Sequence, residues 1–207
     1  MVFLKSDHST GLPTITIDNI GGARLATQHL IDLGRRRIAH VAGPLAWHEA
    51  RDRREAWQET LLAAGLEPGP VAYGTWTSAD GVTAFEELLA MDPAIDGVFV
   101  ANDQMALGVL HQAHRRGIAV PGDIAVVGFD GMEEAAQFTP PLTTVVQPLR
   151  ELGREAVQEL LATMDEEPHP GAELRRTLLT RLIVRESAPL PASASTPRDD
   201  RALAGAA

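Results

Sequence analysis

The sequence contains no cysteine, which excludes disulfide bonds and thiolate metal sites. A chain without disulfides is compatible with the cytoplasm, where we expect this protein to act. Aromatic residues make up only 4% of the 207 residues, so each of the three tryptophans is a candidate for a specific role. No apolar run approaches the roughly 18 residues needed to cross a bilayer. The first residues, "MVFLKSDHSTGLP", lack the charged and apolar regions of a signal peptide.

Positive charge is also scarce. The chain has 18 lysines and arginines against 28 aspartates and glutamates, for a formal net charge of −10. Nucleic acids and anionic membranes repel such a chain, so we expect neither to be bound non-specifically. The dense basic cluster "GRRRIAH" lies at a helix-strand junction rather than in a recognition helix.

The common enzyme motifs are missing as well. No phosphate-binding loop, dinucleotide-binding glycine pattern or serine-hydrolase elbow occurs in the sequence. The pair Gly21-Gly22 opens a helix after a strand, but two adjacent glycines are a weak phosphate signal. His111 and His114 have a spacing that suits a metal, but no carboxylate follows at a matching interval. We therefore expect no enzymatic activity, no cofactor and no metal site.

The chain does contain short apolar runs that alternate with helical patterns. This alternation, with near-continuous Val, Ile and Ala strands, indicates an α/β fold with parallel sheets flanked by helices. His40, within one strand, is expected to be a packed core histidine. Ser78 is expected to cap the helix that ends at Met91. One helical pattern places the following residues on a single buried face: Leu25, Ala26, Leu30 and Leu33.

Polar and aromatic residues follow the ends of several strands. Because the carboxyl ends of parallel strands meet at one edge of a sheet, these residues should lie together, where α/β proteins bind ligands. An arginine and carboxylates bind vicinal hydroxyls, and a tryptophan packs against the apolar face of a ring. This combination suits a sugar, a polyol or a nucleoside. The candidate ligand-binding residues are Arg53, Trp76, Asn102, Asp130 and Gln147.

Each candidate also has a plainer interpretation. Asn102 or Asp103 can be a helix cap, and we expect Asn102 to contact the ligand while Asp103 mainly caps. Asp130 precedes a glycine and can be a turn residue. Trp76 can be a partly buried loop anchor. Arg53 lies in the mixed-charge stretch "EARDRRE", which is typical of a solvated helix face.

Several segments, taken in order and at their proper spacing, resemble one known family. "DNIGGARLATQHLIDLGRRRIAHVAGP", "ARDRREAWQETL", "VANDQMALG", "GDIAVVGFD" and "PPLTTVVQPLRELGREAV" look like the effector-binding domain of the lactose/galactose repressor (LacI/GalR) family of bacterial transcription regulators. The resemblance covers about residues 1 to 186. It implies a type I periplasmic-binding-protein-like fold, with two Rossmann-like lobes and a ligand cleft between them.

The same resemblance implies roles for the candidate residues. Arg53 would grip hydroxyls or a carboxylate, Trp76 would stack on a ring, Asn102 would hydrogen-bond at the cleft and Asp130 would accept from two hydroxyls. Gln147 lies where the chain crosses between lobes, so a role in the hinge is equally open. The effector would be a sugar, a polyol or a purine-like molecule.

The resemblance also implies a domain division with a complete second lobe and a partial first lobe. Residues 1–17 would belong to the first lobe, 18–146 would form the second, effector-binding lobe, and 147–174 would be a crossover and helix of the first lobe. Residues 175–187 would form closing strands, and the Ala-, Ser- and Pro-rich segment 188–207 would be a disordered tail.

The sequence departs from the family pattern at its start, where the helix-turn-helix headpiece and the first units of the first lobe are absent. Operator DNA would therefore be bound only through a headpiece outside this chain, and the intact protein would be a homodimer. The exposed part of an incomplete lobe predicts marginal stability of the purified chain. A periplasmic sugar-binding protein of the same fold is the alternative function.

Overall fold

The computed structural model describes residues 3–4, 14–165 and 175–190. Within these ranges nine strands, five α-helices and a short 3-10 helix at Glu133–Gln137 alternate along the chain. The strands are β1 (Phe3–Leu4), β2 (Thr14–Ile17), β3 (Ile38–Ala42), β4 (Val71–Tyr73), β5 (Gly97–Val100), β6 (Ala125–Asp130), β7 (Thr143–Val146), β8 (Arg175–Leu178) and β9 (Arg181–Ile183). The helices are α1 (Asn19–Asp32), α2 (His48–Ala63), α3 (Ser78–Met91), α4 (Asp103–Arg116) and α5 (Leu149–Asp165).

A six-stranded sheet in the order β4-β3-β5-β6-β7-β9 forms the larger unit. The five strands from β4 to β7 are parallel. One face is covered by α3 and α4, and the other by α1 and α2, so β3, β5 and most of β6 are buried on both faces. The predicted α/β architecture with a parallel, helix-flanked sheet is thereby confirmed.

The edge strand β9 departs from the expectation that all strands run in one direction. It pairs with β7 in antiparallel register, with Arg181 opposite Val146. It therefore starts at the edge where β7 ends. Alternating apolar residues define a strand but carry no information on its direction, since the side-chain period is two in either case.

A second, smaller sheet has the order β1-β2-β8, and its strands are parallel. Helix α5 covers it through Leu152, which packs with Ile15, Ile17 and Leu178. The described chain passes between the two sheets from β2 to α1, from β7 to α5 and from β8 to β9. These three connections hold the two sheets side by side.

Close packing explains the glycines of α1 better than phosphate binding does. A Cβ atom on Gly22 would lie 2.7 Å from the Phe129 ring, so the glycine lets α1 approach β6 closely. Asp18 caps this helix, because its Oδ1 accepts a hydrogen bond of 2.7 Å from the Gly21 N–H. The amide of Gly21 is thus already used by a side chain of the same turn.

Two local predictions are wrong. Leu25 is 43% exposed, because the buried side of α1 is set by small residues such as Ala23 and Ala26 rather than by the leucine spacing. The cap of α3 is Thr77, whose hydroxyl accepts from the Asp80 N–H, and Ser78 is the first helical residue. Neighbouring threonine and serine residues have similar capping preferences, so the sequence alone does not separate them.

The segment that follows β9 is packed at least as far as Ala188. This residue is fully buried, and its carbonyl oxygen lies 2.7 Å from the His29 Nε2. The predicted disordered tail was placed from residue 188, and residues 191–207 of it lie outside the described residues. In the described part, no helix is both long and apolar enough to cross a membrane.

Candidate functional site

The structure brings all five candidate residues together around one cavity at the carboxyl edge of the large sheet. Its volume is about 430 Å³. A larger surface groove of about 780 Å³ lies between α1 and α2, but none of the candidate residues lines it. The cavity is lined by Trp47, Glu49, Arg53, Trp76, Asn102, Asp130, Gly131, Met132, Gln147 and Leu149.

Arg53 is a buried, hydrogen-bonded cation rather than part of a solvated helix face. It is only 4% exposed. Its Nε donates to Asn19 Oδ1 at 2.9 Å, and its Nη1 donates to the Ala101 carbonyl at 2.6 Å. The guanidinium lies over the Phe129 ring at 3.8 Å and 3.7 Å from Asp130 Oδ1. Burial lowers the pKa of Arg53, while the neighbouring Asp130 acts in the opposite direction.

Asp130 ends β6 in an unusual backbone conformation, with φ at 113°. Its Oδ1 accepts a hydrogen bond of 2.5 Å from Gln147 Nε2, and its carbonyl accepts from the Gln147 N–H at 3.2 Å. Gln147 thereby ties the end of β6 to the crossover between β7 and α5. The carboxylate faces the cavity beside Arg53, with 30% of its side chain exposed.

Trp76 has the second unusual backbone conformation, with φ at 77°. In the described residues, Trp76 and Asp130 are the two non-glycine positions with positive φ, and both lie in the cavity wall. The Trp76 ring lies against Gly43, where any Cβ atom would overlap with it. Trp47 approaches it edge-on, with ring centroids 6.2 Å apart. Strained residues of this kind persist where the surroundings hold them, and they cluster at functional sites.

Asn102, and not Asp103 as expected, caps α4, and Asn102 also lines the cavity. Its Oδ1 accepts from the Met105 N–H at 2.8 Å, and its Nδ2 donates to the Trp76 carbonyl at 3.0 Å. One amide therefore caps the helix and also holds the strained Trp76. Asp103 is the first residue of α4, and its buried carboxylate accepts from Thr144 and Met132 instead of capping the helix.

Asp103 does not line the cavity but contacts its wall from behind, through Met132, which the sequence did not predict. It is fully buried. Its Oδ1 accepts from the Thr144 hydroxyl at 2.6 Å, and its Oδ2 accepts from the Met132 N–H at 2.8 Å. Burial raises the pKa of Asp103 to about 7, although these hydrogen bonds act in the opposite direction.

His40, His111 and His114 do not line the cavity. His40 is buried in the core as predicted, with its ring stacked between Trp57 and Phe99. His111 and His114 are both exposed on α4. Across the ranges that the structure describes, no cluster of three or more His, Asp or Glu side chains could hold a metal ion.

The cavity combines a guanidinium, a carboxylate and a tryptophan face. A guanidinium donates and a carboxylate accepts, so the pair can hold neighbouring hydroxyl groups through charge-assisted hydrogen bonds. An indole face packs well against the C–H face of a saturated ring. The arrangement therefore suits the binding of a polyhydroxylated ring.

The fold and this cavity define an effector-binding domain of the periplasmic-binding-protein type. A family model for the periplasmic binding protein-like domain matches residues 27–188, and the chain belongs to this family.

Its relatives are LacI-type transcription regulators, which confirms the resemblance seen in the sequence. The chain is 43% identical over 175 residues to the HTH-type transcriptional regulator CelR of Thermobifida fusca, covering 84% of this chain and 51% of that protein. A solved CelR-cellobiose complex is 40% identical with a TM-score of 0.82, and the match covers 90% of this chain and 58% of that one. A dimeric Lac repressor structure is 33% identical with a TM-score of 0.84, over 92% of this chain and 69% of that one.

The chain spans about half the length of the curated relatives it matches. These relatives are transcription regulators and not enzymes. They favour the regulator function over the periplasmic sugar-binding alternative.

Proposed function

We propose that this chain is the effector-sensing part of a LacI-type transcription regulator, acts in the cytoplasm and binds a small sugar in the cavity at the sheet edge. The observation that carries the proposal is the placement of Arg53, Asp130 and Trp76 around one cavity of about 430 Å³. Arg53 and Asp130 hold hydroxyl groups, and Trp76 stacks on the ring. Asn102 and Gln147 complete the polar wall.

A glucose disaccharide is the effector class that we favour. Trp47 lies at the rim of the cavity, is 56% exposed and meets Trp76 edge-on. It offers a second aromatic surface to a ligand longer than one ring. The similar CelR structure is a complex with cellobiose, a disaccharide of this kind.

Regulation follows from the connections between the two sheets. Gln147 binds Asp130 on one side and leads into α5 on the other, so a ligand on Asp130 acts directly on a crossover. We propose that the ligand favours one arrangement of the two units and thereby changes operator affinity, with a coupling free energy of about 1–3 kcal/mol. For the intact protein we propose operator binding and a homodimer, since its relatives include operon repressors and a dimeric Lac repressor.

Calorimetry with cellobiose, glucose, adenosine, NAD and ATP tests the proposal. We expect cellobiose to bind, and Asp130→Asn and Trp76→Phe to weaken its binding by about tenfold or more, because each removes an interaction with the ring or its hydroxyls. Asp32→Asn, on the exposed end of α1, is the matched control and should leave the affinity unchanged. Tight binding of NAD or ATP in place of any sugar would overturn the proposal.

A further inference from the structure

Asp103 lies where the neighbouring backbone leaves room for a carboxylate. It is the first residue of α4 and follows the carboxyl end of β5. The neighbouring strand β6 carries Gly128 opposite it, where any Cβ atom would overlap with Asp103 Oδ1. The glycine thus lets the carboxylate lie flat against β6, within reach of β7.

The carboxylate joins three segments at this point. Oδ1 accepts from Thr144 on β7, and Oδ2 accepts from the backbone of Met132, just beyond β6. Met132 is two residues beyond Asp130, and the turn from Asp130 to Met132 contributes three residues to the cavity wall. Asp103 itself does not line the cavity, so it can act on a ligand only through this turn.

The turn needs such support because its backbone is strained. Asp130 has φ at 113° and Gly131 has φ at 74°. A non-glycine residue in this region is strained and is held there by its surroundings. Gln147 holds the turn from the side of the crossover, and Asp103 holds it from the side of α4.

We propose that Asp103 is a positioning residue for the effector site: its ionised carboxylate holds the turn from Asp130 to Met132 in the shape that binds ligand. The inference concerns the site of the proposed function and depends on that function only for its ligand-binding consequence.

The surroundings of Asp103 place its titration in the neutral pH range. Burial raises its pKa to about 7, and the negative charge of Asp130 on β6 acts in the same direction. Hydrogen bonds from Thr144 and the Met132 backbone favour the ionised form. The positive charge of Arg53 on α2 also lies within electrostatic range.

Protonation would weaken the support without removing it. The protonated oxygen can donate to the Thr144 hydroxyl while the other still accepts from Met132, but neutral hydrogen bonds are roughly half as strong as charge-assisted ones. We therefore expect ligand affinity to fall by about fivefold as the pH drops through the pKa of Asp103. By linkage, bound ligand lowers that pKa.

Amide resonances of Gly131 and Met132, followed by NMR from about pH 5.5 to about pH 8.5, test the proposal without any ligand. In the parent chain, the chemical shifts of both amides should change together with pH, in a single titration step. The step should be absent in Asp103→Asn, whose amide can donate to Thr144 and accept from Met132 in the same geometry. Thr144→Val removes a bond that favours ionisation, so it should move the step to higher pH.

Cellobiose calorimetry over the same pH range provides the functional measurement. The affinity of the parent chain should follow the amide step, whereas the affinity of Asp103→Asn should not. A step that persists in Asp103→Asn, or its absence from the parent chain, would overturn the proposal. If cellobiose binds at no pH, the assignment of a glucose disaccharide as the effector fails, and the amide titration still decides the role of Asp103.

Discussion

Acidification should destabilise the fold through His40 and stabilise it through Asp103, and substitution can separate the two effects. Burial between Trp57 and Phe99 lowers the pKa of His40 from 6.5 to about 3. The unfolded chain therefore takes up a proton below pH 6.5 that the folded chain does not accept. The contribution of His40 is present above this pH and is lost as the pH falls toward 3, over a full range of about 5 kcal/mol.

The contribution of Asp103 to stability changes with pH in the opposite direction. Burial raises its pKa from 3.8 to about 7, so the folded chain holds a proton that the unfolded chain releases. Its contribution is present below pH 3.8 and is lost as the pH rises through 7, over about 4 kcal/mol. Between pH 3.8 and pH 6.5 the two residues cancel, because the folded and unfolded chains each bind one proton at this pair.

In two variants the free energy of unfolding should depend on pH in a way that the two residues cancel in the parent chain. In Asp103→Asn, His40 acts alone, and the free energy of unfolding should fall by about 1.4 kcal/mol for each unit of acidification. In His40→Phe, which keeps a ring between Trp57 and Phe99, it should rise by the same amount. The double variant should regain the parent slope.

Urea unfolding followed by far-UV circular dichroism, at constant ionic strength and from about pH 4.5 to about pH 6.3, measures these slopes. Comparing each variant with the parent removes the contribution of the other carboxylates. If the profile of Asp103→Asn runs parallel to that of the parent chain, Asp103 does not bind a proton in the folded state and the reasoning fails.

Two further predictions concern packing and capping. Gly108 lies where α4 crosses α3, and a Cβ atom there would overlap with the Ser78 carbonyl, so Gly108→Ala should lose about 2 kcal/mol of unfolding free energy. Gly153→Ala is its control, because no described atom lies within 4 Å of the new methyl group, and a gain of about 0.5–1 kcal/mol is expected. Thr77→Ala should lose about 1 kcal/mol by removing the cap of α3, whereas Ser78→Ala should change little, and the reverse order would refute the cap. Urea unfolding measures all four.

The positions of the candidate residues could be predicted from the sequence because they depend on topology. Arg53 and Asn102 follow strands of one parallel sheet and Asp130 ends another, and parallel strands place their carboxyl ends at one edge. Neither side-chain conformations nor exact helix boundaries change the edge at which a strand ends. The misplaced cap of α3 therefore leaves the candidate residues at the same edge.

The roles of neighbouring polar residues could not be predicted in the same way. Asn102 and Asp103 are both common at helix starts, and only the three-dimensional packing shows which one turns inward. Asp103 does so because Gly128 leaves room for it and because Thr144 and Met132 supply its partners. These three residues are distant from Asp103 in the sequence, so the residue pattern around α4 does not predict their contacts with it.

Arg53 shows why burial and ligand recognition are compatible in this cavity. Its guanidinium is fixed by Asn19, by the Ala101 carbonyl and by the Phe129 ring before any ligand arrives. A side chain that is already ordered loses little conformational entropy on binding, so more of each new hydrogen bond appears as affinity. The same contacts make Arg53 part of the fold, and its removal would leave buried acceptors without their donor. Asp130 and Trp76 also line the cavity and are less buried than Arg53, so their substitution is the sharper test of ligand binding.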